Sequence, residues 1–173
     1  MIHVNQFIDS NDKKQLWITS NAVIKQAIIK YMFENENDLH LKLATELLNF
    51  IREDDKLCKR DIHANYANLL CIILARSHNP DFIEDIVKTK GCGDLFFYVD
   101  STLLFEFSPN QTRETCVRDT LEYVNNIHDD KSQWFKIYKD WVNHYGNMYG
   151  EEMVIKYWNR YKDPNYYKEQ YIE

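Results

Sequence analysis

Apolar residues recur at three- and four-residue spacing along most of the chain, in blocks separated by short polar runs. The clearest block is 38–52, where Leu43, Ala44, Leu47, Leu48 and Ile51 share one helical face. Residues 59–77 follow, with Ile62, Tyr66, Leu69, Leu70, Ile73 and Leu74 on one face. Upstream, 22–33 reads as a helix capped by Ser20, with Val23, Ala27 and Tyr31 aligned and Ile24 and Ile28 beside them. Asn79-Pro80 is a helix start, Asn as cap and Pro at the first helical position. Phe82, Ile83, Ile86 and Val87 continue it to Lys90, where Gly91-Cys92-Gly93 closes it. Three more helices follow. Residues 110–127 carry Val117, Leu121, Val124 and Ile127, and 132–146 carry Trp134, Ile137, Tyr138, Trp141, Val142 and Tyr145. After a turn from Gly146 to Gly150, 151–161 carries Val154, Ile155, Trp158 and Tyr161, and Asp163-Pro164 stops it.

Two stretches resist this reading. In 1–19, Val4, Phe7 and Ile8 suggest a short helix start at a fraying terminus, and 164–173 is expected to fray too. Residues 94–107 are rich in aromatic and β-branched residues and fit either two short strands around Asp100-Ser101-Thr102 or a helix capped by Asp94 and buried on most sides. The helix is favoured, because its neighbours are helical and a lone hairpin is marginal. Only 4 Gly and 3 Pro in 173 residues argue against a sandwich or barrel, whose many turns need both. The expected fold is therefore all-α: one domain over 1–173 with about eight helices.

From residue 38 the blocks pair as 38–52 with 59–77, 80–90 with 94–107, and 110–127 with 132–146. This layout resembles a short, divergent HEAT- or armadillo-like array of antiparallel helix pairs. The resemblance covers about two-thirds of the chain and has no consensus motif. It implies a protein that binds a macromolecule on one face and catalyses nothing.

Charge changes the picture next. The net charge is −6, and residues 1–130 carry 14 Lys and Arg against 21 Asp and Glu. Phosphate neutralisation needs clustered cations, so nucleic acid is not the expected partner. No basic segment precedes an apolar one at the N-terminus, and the longest apolar run, 69–75, is far short of the ~20 residues that span a bilayer. Cys58, Cys71, Cys92 and Cys116 form no C-x-x-C pair and read as free thiols in a reducing cytosol. The expected location is cytoplasmic, with no membrane contact. Lys outnumbering Arg 15 to 6, with 16 Asn and 16 Ile, leans toward an AT-rich bacterial or viral genome.

Four features could carry chemistry. His128-Asp129, with His63 or His78 upstream and Asp163 downstream, resembles the HD-domain metal phosphohydrolases, in which His and Asp hold a divalent ion that activates water. The apolar and Gly residues usual after that pair are replaced by Asp130-Lys131, and a helix-ending His followed by a helix-starting Asp explains the dipeptide better. Asp100 and Glu106 are acids within an apolar run, where a raised pKa would suit a general acid and a cap or polar stripe would suit structure. Cys92 lies between two glycines, a context that a nucleophile could use and that a helix end needing glycine explains better. Phosphate-loop, dinucleotide, zinc-protease and serine-hydrolase motifs are missing. Finally, residues 131–173 hold 8 of 12 Tyr and 3 of 4 Trp, an excess typical of binding hot spots as well as of cores.

The sequence thus predicts a non-enzymatic protein-binding module without cofactor. Its specific form is a small bacterial immunity or antitoxin-type protein that sequesters a basic partner, with Tyr149, Tyr166 and Tyr167 as outer contact residues. The alternative is an HD-type phosphohydrolase built on His128 and Asp129.

Overall fold

The computed structural model describes residues 2–35, 37–54, 61–107, 113–127 and 132–161. Among these it contains ten α-helices, three short 3-10 helices and no strand, so the chain is all-α. The helices are α1 (Ile2–Ile8), α2 (Lys13–Thr19), α3 (Ala22–Glu34), α4 (Asp38–Glu53), α5 (Asp61–Arg76), α6 (Ile83–Lys90), α7 (Leu95–Tyr98), α8 (Cys116–Asn126), α9 (Gln133–Met148) and α10 (Glu151–Tyr161). The 3-10 turns cover Pro80–Phe82, Ser101–Phe105 and Arg113–Thr115.

The core is built around α5. Its residues Leu69 to Ala75 are buried in succession, so the helix is apolar on every side, as an internal helix must be. It packs on α3, α4, α6, α7 and the 101–105 turn. All five residues of the α4 stripe are buried, and α4 meets α5 along its length. The other expected partners also touch: α6 with α7, and α8 with α9. In addition α6 packs closely on α9, which fastens the C-terminal half to the centre. Arg52 fixes the α4–α6 contact by donating to the Asp85 carbonyl and the Thr89 hydroxyl, each at 2.9 Å.

Residues 1–19 are not a loose end. They form α1 and α2, and the fully buried Trp17 packs edge-on against Tyr66 of α5 at 5.8 Å. Ser20 does not start α3. It closes α2 through its hydroxyl to the Leu16 carbonyl, and Asn21 caps α3 by accepting from the Ile24 amide. The inward face of α3 is Ile28, Ile29, Met32 and Phe33 together with Lys25, while Val23 is 72% exposed. Lys25 is drawn inward because its ammonium lies over the Trp17 ring at 5.4 Å.

The favoured single helix over 94–107 is replaced by two pieces. Asp94 makes no side-chain cap, and α7 ends after one turn at Val99. Asp100 stops the helix because its carboxylate accepts from the Thr102 amide at 2.8 Å and the Thr102 hydroxyl at 2.9 Å. The 3-10 turn that follows is held by side chains of neighbouring helices. Tyr138 donates to the Leu104 carbonyl at 2.8 Å, Thr120 to the Phe105 carbonyl at 3.3 Å, and Tyr161 to the Asp100 carboxylate.

The expected turn at Gly146 is also displaced, since α9 runs through it to Met148. A Cβ on Gly146 would lie 3.0 Å from a Leu121 methyl, so this glycine serves the close approach of α8 to α9.

Candidate interaction site

Lys90 is the last residue of α6 and is 2% exposed. Its ammonium donates to the Phe96 carbonyl at 2.9 Å and the Val99 carbonyl at 2.7 Å. It also lies 4.7 Å above the Phe96 ring and 5.8 Å from that of Tyr145. Burial brings its pKa down to about 8, against the opposing pull of the Asp100 carboxylate.

Between α6 and α7 the chain reverses at Gly91-Cys92-Gly93, where Gly93 takes a left-handed φ of +52° that other residues adopt only under strain. Backbone bonds then close the turn: Leu95 to Cys92 at 3.0 Å and Val99 to Leu95 at 2.9 Å. Leu95 points into the core, and a four-residue helix has no room to bury its next three side chains. Phe96 is 37% exposed, Phe97 84% and Tyr98 37%. Phe96 meets Phe97 edge-on at 5.5 Å and Trp141 of α9 at 6.0 Å. The outcome is an aromatic knob, mounted on a turn that a buried cation braces from beneath.

The sequence-predicted site residues are distributed differently. His128, Asp129, Asp163, Tyr166 and Tyr167 lie outside the described residues, as does the side chain of His63. His78 is described, and its Nδ1 faces the Glu106 carbonyl at 3.0 Å and carboxylate at 3.5 Å, with the ring 5.4 Å from Trp158. Among the described residues no group of three His, Cys, Asp or Glu is placed to hold a metal ion. Tyr149 is not on an open surface. It is half-buried, stacked on Tyr145 at 5.4 Å and edge-on to Phe105 at 6.4 Å. Asp100 is a turn cap tied to Tyr161. Glu106 is buried, with its carboxylate 3.5 Å from His78 Nδ1.

The described thiols are poor nucleophiles or bonded to structure. Burial pushes Cys71 and Cys116 up to about 12, Cys116 also through its bond to Glu151. The Cys92 thiol donates to the Arg52 carbonyl at 3.9 Å.

The knob was invisible to sequence reading because a run of aromatics ordinarily marks a core. One signal was present. Glycines before the run and Asp100 after it leave room for only one helical turn.

The chain matches no protein-family model, no curated protein and no solved structure. No described helix is long and apolar enough to cross a membrane.

Proposed function

We propose that this chain is a non-enzymatic protein-binding module whose contact point is the knob Phe96-Phe97-Tyr98. The observation that carries the reading is the 84% exposure of Phe97 on a braced turn. An exposed phenylalanine costs solubility, and a pre-ordered one gives up little entropy on entering a partner's pocket. Aromatic anchors of this kind dominate binding energy at interfaces. The net charge of −6 favours a basic partner, steered in by long-range attraction. In its specific form the protein is an immunity or antitoxin-type molecule that sequesters a basic protein in the cytoplasm. The contacting helix pairs are the part of the fold that supports a HEAT-like array.

Replacement of Phe97 by a photoreactive phenylalanine analogue tests the reading in the native host. Val23, 72% exposed on α3, serves as the control position. A discrete protein adduct from position 97 and none from position 23 is expected. Equal, diffuse labelling from both positions would sink the proposal.

A further inference from the structure

Beneath the knob, Lys90 is cut off from water at 2% exposure. Two of its three N–H donors meet the carbonyls of Phe96 in α7 and of Val99, its C-cap, at 2.9 and 2.7 Å. The rings of Phe96 and Tyr145 lie 4.7 and 5.8 Å from the nitrogen. A neutral amine has two N–H donors and serves both carbonyls. An ammonium adds a third donor and a full charge, to which these neighbours offer only aromatic rings. Asp100, just past α7, pulls toward the charged form, and Cys71 of α5 is a buried thiol pushed up to about 12. From α9 comes Tyr145, α7 carries no charged residue, and Arg52 of α4 is bound to Asp85 and Thr89. On α6 itself Lys88 is held by Glu84, and Asp81 lies in the turn before the opposite end of the helix. Burial outweighs the pull of Asp100 and Cys71, so Lys90 falls from 10.5 to about 8.

We propose that the knob is proton-regulated: it opens as Lys90 takes up a proton and moves into water, and it closes as Lys90 gives that proton up. The closed turn keeps both carbonyl bonds with the neutral amine and is spared the burial of an ion. In the open form α7 swings off the ammonium, which water then hydrates. Gly91 and Gly93 flank the pivot, and Gly93, at φ +52°, has nothing within 4 Å of where a Cβ would stand. The direction follows from linkage. An opened Lys90 titrates at its ordinary value and a closed one lower, so the open form binds the extra proton between the two. Falling pH therefore opens the knob over that range, and rising pH orders it. The consequence for binding rests on the contact point proposed above: with Phe97 as anchor, partner affinity rises with pH over the same interval.

The test needs no partner. It uses the full chain with carbon-13-labelled lysine and with 4-fluorophenylalanine at position 97. The Lys90 carbon signal should titrate well below those of the exposed lysines. Fluorine relaxation dispersion should show two exchanging forms, the open population falling at least ~10-fold between about pH 7 and about pH 9.5. In Lys90→Met that pH dependence should vanish. The native chain's own titration decides the matter even where Lys90→Met fails to fold. Titration of Lys90 together with the exposed lysines, a single form at every pH, or the same pH dependence in Lys90→Met would each overturn the proposal. A flat response removes the proton linkage and leaves the contact point standing, whereas failure of position 97 to capture a partner does the reverse.

Discussion

Lys90 has almost no water around its ammonium, and the Phe96 and Val99 carbonyls take the place of that water. Replacing it by Met keeps the stem and removes both bonds. Charged hydrogen bonds contribute ~1.5–3 kcal/mol each, offset here by the cost of burying the ion, so a net loss of about 1–3 kcal/mol is expected. Denaturant unfolding measures that loss, and faster amide exchange in 95–99 would show the knob loosening. Gly93→Ala should cost about 1 kcal/mol, because the strain is in the backbone and the space around the Cβ is open. Titration gives a third residue-scale expectation. Cys71 and Cys116 are raised from 9 to about 12, so their stabilising effect is complete below pH 9 and lost as pH rises toward 12. Lys90, lowered from 10.5 to about 8, acts oppositely, since the unfolded chain binds the extra proton between those values. Two thiols outweigh one lysine, so stability should fall above pH 9. The fall should be shallower in Cys71→Ala, and an identical slope in that variant would place the alkaline loss elsewhere.

At the scale of elements, α8 begins without a cap of its own. Glu151 of α10 supplies it, accepting from the Val117 and Arg118 amides at 2.8 Å each. Glu151→Ala should therefore cost about 1–2 kcal/mol, as loss of a charged N-cap does, and should loosen α8 and α10 together. Thermal unfolding with amide exchange on both helices checks this, and loosening confined to α10 would contradict it. Within α5 and the 101–105 turn, Leu70→Ala and Leu104→Ala should each cost ~2–5 kcal/mol. Leu121, placed with the core by its spacing, is half-buried and should cost less. Such elements differ in how far the sequence exposes them. In α4 the spacing alone identifies the stripe Leu43, Ala44, Leu47, Leu48 and Ile51 that is buried, while His40 and Leu41, also buried, lie outside it. For α3 the inward face depends on where Trp17 arrives from another helix, which spacing cannot convey. The 94–107 stretch depends on Asp100 bonding its own backbone, with Tyr138, Thr120 and Tyr161 satisfying the carbonyls and carboxylate from far along the chain.

For the whole molecule, helical class and helix pairing were legible because few breakers and strong periodicity leave little else. The candidate site was not, since it consists of aromatics that resemble core and a lysine that resembles surface. What makes it a site is the tertiary bracing of one turn. An acidic molecule carrying such a knob should bind its partner with two separable signatures. Association should slow as salt rises, because screening at 0.15 M shortens the field to ~8 Å. Dissociation should depend on the anchor and little on salt. The decisive measurement is the dissociation rate of the partner captured through position 97, compared between the native chain and Phe97→Ala. The account predicts dissociation at least ~10-fold faster for Phe97→Ala, with an unchanged association rate and an unchanged circular-dichroism spectrum. An unaltered dissociation rate would contradict it.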